Sequence, residues 1–521
     1  MKRVALLLII LCITTFLQGQ LNIQLSQPVK SKGTILQLFP TVGNDFYAIR
    51  YTGRTFGSYH LTRFSNFQPV KSHKIKMTVG NGMATLEESA VIDNQIVIFF
   101  SDKTADQKGR NNNLYVQKYN QDCEPEKEAV SLASYPITSF IKNTGKFTVL
   151  VSENRDFFCV EYDMPGNKIE NESFAYKIFN KNFELIAEGE YEVPYERNLS
   201  KISTRYLSNS GDYFISCNIY DLGEKKTSKN LESLDKVILL HVLPAGLEEF
   251  EMELDGRRAM EVKYSSDDNG IMTFTGLYGN KGENGVKGIF YFRFDYLNRK
   301  EIDFGFEPFS REFITNEWTE KQLKKADKRE AKGKEAPQLY NYKVRETITL
   351  SDSSIVGLME RYFVQVTSYS DPRSGSSNTT YTYIYDDLIV YKIKKNGVFD
   401  WVKKIPKMQY SVNDYGYLSS ISNFMKDGKL MILFNDHTNN YDDIGIYNGS
   451  EYEINFRKRT NVIAMVELNV ETGEINRRIA TFSNENELYA VPKDFQIDYV
   501  NKQVLMLFLI DKKTLFGKLE L

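Results

Sequence analysis

The sequence predicts an all-β fold built from repeated four-stranded units, and three observations predict it. The 521 residues include 34 Phe and 33 Tyr against 2 Trp and 13 Pro, an enrichment in residues that suit a pleated, half-buried surface. Short apolar runs of strand length recur along the chain: Phe46–Tyr51, Ile96–Phe100, Phe147–Val151, Tyr213–Cys217, Ile271–Thr275, Ile355–Met359, Leu430–Phe434 and Val504–Phe508. Continuous apolar runs of this length fit strands buried on both faces. Most are followed by a polar loop and a hairpin, clearest at Asp387–Ile405. There, alternating β-branched and aromatic residues flank Asn396-Gly397, a strong short-range hairpin signal.

The repeat reads strand, turn, strand, loop, strand, tight turn, strand, at a spacing of about fifty residues and upward, which is the form of a β-propeller blade. Eight such units imply eight blades, with seven as the alternative. The segment Leu21–Gln27 reads as a lone strand, and the chain has room for one strand, Leu515–Leu521, after the last apolar run. Completing the last blade with the first strand leaves no open edge. Two stacked sandwich domains explain the strands but not why the chain starts and stops within a unit. The expected organisation is a leader over 1–20 and a single propeller domain over 21–521, with one helical, charged insertion at 309–337. Helix formers crowd that insertion from Glu317 to Gly333. Its apolar residues lie in the first half, which predicts a short helix docked by Trp318 that frays into a solvated charge run.

The leader expectation rests on Lys2-Arg3, the apolar stretch Val4–Leu17 and the small Gly19 beside the expected cleavage point. About fourteen apolar residues fall short of the roughly 20 that span a bilayer, so no integral membrane span is expected. Cys12 lies within the apolar stretch behind Leu11, a poor context for lipidation. A net charge of −2 with 26% charged residues gives no electrostatic bias toward nucleic acid. Export would place Cys123, Cys159 and Cys217 in a disulfide-permissive compartment. The apolar surroundings of Cys159 and Cys217 favour buried thiols over a bridge.

Length is concentrated between second and third strands, at Ser101–Asn113, Asp221–Asp235, Tyr278–Gly288, Thr367–Asp386 and Asn435–Thr460. In a propeller these emerge on one face, which is therefore the expected functional face. The stretch Tyr369–Tyr385 interleaves Tyr381, Tyr383 and Tyr385 with small polar residues, a composition suited to adaptable recognition or to a flexible hairpin. The densest polar cluster is Asn435, Asp436, His437 and Asn440. It reads as turn structure first, then as substrate contact, and last as a cation site, because its spacing is not that of a calcium loop. Glu360 ends an apolar strand, and Lys407 and Gln409 follow the hairpin; each pairs locally or faces a ligand. The four histidines form no catalytic order, and no nucleophile elbow, P-loop, dinucleotide fingerprint or metal spacing is visible. No cofactor is expected.

From Ser353 to Asn440 the chain resembles a group of uncharacterised secreted Bacteroidetes proteins. The likeness is carried by Glu360, Asp387-Leu388-Ile389-Val390, Asn396-Gly397, Trp401, Ile405-Pro406-Lys407, Gln409, Phe434-Asn435-Asp436 and Asn440. Val398-Phe399 departs from the single aliphatic residue usual in that group. The resemblance covers about a fifth of the chain and implies a cell-envelope propeller, without an activity; the expected location is periplasmic or outer-membrane-associated, with the cell exterior as the alternative. Two functions are expected to compete: a scaffold binding an envelope protein or glycan through the long-loop face, and a carbohydrate-active enzyme using carboxylates such as Glu360 or Asp436.

Overall fold

The computed structural model describes residues 21–521 apart from 22, 31–32, 42–44, 54–56, 78, 80–82, 107–108, 140–144, 165, 224–228, 230–232, 253, 267–269, 317, 335, 371–375, 457–459, 481–487 and 511–512. The leader at 1–20 and the tip of the Tyr-rich segment thus lie outside the described residues. The chain forms eight antiparallel sheets, each at heart a four-stranded meander, and the fold is an eight-bladed β-propeller. Blades 1 to 5 span residues 34–74, 83–137, 146–196, 200–251 and 258–308; blades 6, 7 and 8 span 342–405, 422–479 and 489–520.

Burial explains the runs seen in sequence. The second strand of each blade is sandwiched, as in Tyr213–Tyr220, whereas the outer strand Gln68–Lys74 is exposed along nearly its whole length. The segment Gln24–Leu25 supplies the outer strand of blade 8, with Gln24 opposite Lys518 and Leu25 opposite Gly517. Ser26 extends the join: its N–H donates to the Phe516 carbonyl at 2.8 Å and its Oγ accepts from the Phe516 N–H at 2.9 Å. The closure expected from Leu21–Gln27 is therefore present, and it removes an edge that would otherwise template aggregation.

The chain divides into two compact units, residues 75–361 with 388–404, and residues 1–74 with 362–387 and 405–521. In the first unit, Ile355, Met359, Ile389 and Tyr391 pack with Leu277 and Ile289 in one apolar cluster. The Asn396-Gly397 turn closes as expected, with the Gly397 N–H on the Lys394 carbonyl at 2.8 Å and φ of 82° at Gly397. A β-carbon there would fall 1.9 Å from the Tyr291 hydroxyl, so the position needs glycine both for backbone and for space. In the second unit, Phe46 stacks on Phe64 with centroids 4.7 Å apart, and Phe516 closes on both rings. Among the described residues no helix is long and apolar enough to cross a membrane.

Two expectations are corrected. The insertion holds two helices, α1 (Arg311–Thr315) and α2 (Glu320–Glu330), and the longer one runs through the charge run. A capping box between Thr319 and Gln322 starts α2, and Arg311 pairs with Asp327 at 2.5 Å and Glu330 at 3.3 Å across the two helices. Trp318 lies between α1 and α2 and packs, partly buried, on the apolar cluster of Ile314 and Leu339. Helix propensity and capping thus outweighed the sparse apolar pattern. Second, Ser101–Asn113 and Thr367–Asp386 are mainly strand: Gln95–Asp106 pairs with Gly109–Tyr119, and Ile355–Ser370 lies beside Ser377–Ile393. The first extension is mostly polar and the second is exposed along 364–370, so neither displays the continuous apolar run that marks a buried strand.

Candidate binding surface

Most of the polar residues singled out in the sequence come together in the unit containing 405–521, and they are buried. Lys407 donates to the Tyr385 carbonyl and to Gln409 Oε1, both at 3.0 Å. Gln409 Oε1 also accepts from the Ser420 N–H at 2.7 Å, while its Nε2 donates to the Asn435 carbonyl at 2.9 Å. Asn435 acts like a length of strand: Nδ2 donates to the Leu418 and Ala490 carbonyls, each at 2.8 Å, and Oδ1 accepts from the Ala490 N–H at 2.9 Å. This ladder of amides satisfies backbone groups where blade 7 meets blade 8.

Asp436 is 1% exposed and ion-paired with Arg477. Its carboxylate also accepts from the Tyr441 hydroxyl at 2.6 Å and Asn440 Nδ2 at 2.8 Å. Asn440 in turn holds the loop, with Oδ1 accepting from the Tyr452 N–H at 2.7 Å. His437 Nδ1 accepts from the Asn439 N–H at 3.1 Å, and the imidazole stacks on Tyr452. Asp442 accepts the Ile444 and Ile446 N–H groups. The cluster is a self-satisfied loop scaffold, so its oxygens are directed at the protein rather than at a cation or substrate. Glu360, in the other unit, is fully buried and accepts from Arg345 Nε at 2.7 Å. Of the expected site residues, then, Glu360, Lys407, Gln409, Asn435, Asp436 and Asn440 organise the interior.

The tyrosines behave differently. Residues 364–370, on the strand leading into the hairpin tip, are all exposed, and Tyr369 reaches 66%. Tyr381 is exposed on the returning strand, whereas Tyr383 and Tyr385, farther along the same strand, are buried. The returning strand pairs on its far side with Gln409–Val412, Tyr385 lying opposite Gln409. Tyr362 packs on Tyr385, and Tyr383 on Tyr415, with centroids 4.6 and 6.0 Å apart. Buried rings thereby stiffen a hairpin whose outer surface is aromatic and hydroxyl-rich.

Sequence reasoning missed the loop beside it, residues 413–420. Asn413, Tyr415 and Ser420 have φ of 55°, 58° and 79°, and Gly416 has 62°, a concentration of left-handed backbone in a short stretch. Such conformations in non-glycine residues cost energy and cluster at functional sites. The loop is tied to the hairpin by Tyr381 N–H on Asn413 Oδ1 and Asn413 N–H on the Tyr381 carbonyl, each at 2.9 Å. Tyr415 stands 83% exposed at its tip. Lys493 donates to the Gly416 carbonyl at 2.7 Å and the Tyr385 hydroxyl at 2.8 Å. Beside it, burial pushes the Asp494 carboxyl up to about 6, against the opposing pull of the Tyr417 hydroxyl and Lys493. The Asn-Asp-Tyr-Gly-Tyr run at 413–417 is the signal that could have found this loop.

No protein-family model matches the chain, and no curated protein does. Solved structures similar to it include the propeller domain of the trilobed protease from Pyrococcus furiosus, at 10% identity and a TM-score of 0.34, covering 87% of this chain and 100% of that one. The WD40 domain of SCAP from fission yeast is similar at 9% identity and a TM-score of 0.38, covering 96% and 98%. The tricorn protease is similar at 9% identity and a TM-score of 0.32, covering 94% of this chain and 42% of that one. None of these likenesses transfers an activity or a partner.

Proposed function

We propose that this chain is an exported propeller of the cell envelope that binds a protein partner through the hairpin of residues 362–387 and the adjoining loop 413–420. The observation that carries the reading is the strand edge at 364–370. In its sheet this strand lies between the returning strand and Tyr342–Thr349, whose register ends at Arg361, so among the described residues no strand is paired along the outer edge of 364–370. The sequence from Tyr362 to Ser370 contains no charged residue and no proline. Exposed edges are normally guarded by such residues, so an unguarded, exposed edge carrying Val364, Val366 and Tyr369 suits addition of an extended polypeptide strand. Tyr381 and Tyr415 would add rigid aromatic contact area at little entropic cost.

The leader-like residues 1–20 and the resemblance over Ser353–Asn440 support the envelope location. The enzymatic alternative is less well supported, because Glu360 and Asp436 are each engaged by an arginine inside the protein. A photo-crosslinking residue at Ser368 tests the reading in the producing cell. The expected product is a crosslink to one polypeptide, lost when Val366→Lys places a charge on the edge. Equal crosslinking by the Val366→Lys protein, or crosslinks to glycan alone, would overturn it.

A further inference from the structure

A second feature lies elsewhere and is independent of the hairpin. A cavity of about 640 Å³ opens between blade 1 and the strand Lys513–Glu520 of blade 8, with Phe64 and Phe516 among its apolar walls. Cross-strand register places Arg50 opposite His60, and His60 opposite Lys74, on three adjacent strands of blade 1. Three basic side chains in one row repel one another, since like groups directly opposed destabilise a sheet. Arg50 and His60 line the cavity, Lys30 lines it from the N-terminal segment, and among the described residues no carboxylate lines it.

Arg50 donates Nε to Thr62 Oγ1 at 2.9 Å and one Nη to Ser72 Oγ at 3.2 Å. Among the described residues it pairs with no carboxylate, whereas Arg63 on the neighbouring strand is bonded through Nε to Asp45 at 2.9 Å. Partial burial lowers the Arg50 pKa, and burial together with Arg50, Lys74 and His73 lowers that of His60. The two neutral hydroxyls fix the guanidinium in place without neutralising it. A volume in the range of small-molecule sites, apolar walls and a pre-oriented cation together describe a ligand with an apolar body and one anionic group.

We propose that this cavity binds a small organic anion, its apolar body against Phe64 and Phe516 and its anionic group on Arg50, with His60 and Lys30 completing the positive wall. Benzenesulfonate is a suitable probe because its charge does not change between pH 5 and 8. Calorimetric titration of the full chain is expected to show benzenesulfonate binding at least about tenfold more tightly than benzyl alcohol or inorganic sulfate. Arg50→Gln should weaken it about tenfold or more, and Lys30→Gln, an exposed change that leaves the sheet intact, several-fold. Among the described residues the charged groups acting on His60 are basic, Arg50, Lys74 and His73, with Lys30 also lining the cavity, so a bound anion raises its pKa and affinity should fall several-fold from pH 5.5 to 7.5. Lys328→Gln on α2 serves as the unaffected control. Equal affinity for the neutral alcohol, no saturable binding, or unchanged affinity in the Lys30→Gln protein would overturn the proposal.

Discussion

Arg477 and Asp436 form an ion pair sealed inside blade 7, with side chains 4% and 1% exposed. The guanidinium also donates to the Pro406 carbonyl at 2.5 Å and the Tyr441 hydroxyl at 3.1 Å, and lies 4.0 Å from the Tyr447 ring centroid. One arginine therefore links the outer strand of the blade, the end of the preceding hairpin and the base of the 438–453 loop. Removing one partner of such a pair strands the other charge in a poor solvent, at a cost of about 3–5 kcal/mol. Asp436→Asn should lower the urea midpoint by a corresponding amount, and Asp436→Leu with Arg477→Met should recover part of the loss. A wild-type midpoint for Asp436→Asn would show that the pair does not organise the loop.

The exposed tyrosines should behave in the opposite way. Tyr369→Ser and Tyr381→Ser remove surface aromatic area, and surface changes usually stay within about 0.5 kcal/mol. Thermal melts should therefore match the wild type, while retention of the crosslinked partner drops at least about tenfold. Loss of stability with intact partner capture is the outcome that separates a structural role from recognition.

Asp494 gives the stability a pH dependence of known sign. Its folded pKa, about 6, lies above the usual carboxyl value of 3.8, so the folded state holds the proton more tightly than the unfolded one. The contribution is fully favourable below about pH 4 and is lost as pH rises through about 6. Because the group is partly exposed, the full effect is discounted to about 1–2 kcal/mol. Asp494→Asn should be more stable than the wild type at pH 7 and similar to it at pH 4. Denaturation curves at the two pH values check this, and an identical pH profile for both proteins would exclude Asp494 as the source.

Cys159 and Cys217 sit in one apolar cluster with Ile215, Ile238 and Leu240 as free thiols, and Cys123 is buried as well. Burial pushes the Cys217 thiol up to about 12 and raises that of Cys159 well above the usual thiol range. A thiol reagent at pH 8 should leave these three residues unmodified in the folded protein and label each of them in denaturant. Detection of a Cys159–Cys217 bridge in the non-reduced protein would overturn this, and so would rapid labelling of the native state.

Much of the architecture was legible because burial on both faces writes itself into composition. Leu430–Phe434 and Val504–Phe508 admit little but a central strand, and Asn396-Gly397 admits little but a tight turn. The hairpin extension past Arg361 was not legible, because a strand that faces water on both sides has no pattern to display. That helix α2 would persist through the charge run was hidden by its lack of apolar periodicity, although Thr319 and Gln322 already carried its start signal. At the candidate site, Asn435, Asp436 and Asn440 were visible as a polar cluster. Whether they faced outward depended on Arg477, Ala490 and Tyr452, which are 12 to 55 residues away in sequence.

The sequence by itself determined the repeated four-stranded unit, the closing role of the first strand and the tight turns, because these follow from local propensity and from the period of burial. The tertiary structure alone decided which polar residues are scaffold and which surface is presented. A carboxylate or an amide reads the same in sequence whether water or an arginine satisfies it. That choice turned Asp436 inward onto Arg477 and left Tyr369, Tyr381 and Tyr415 in solvent.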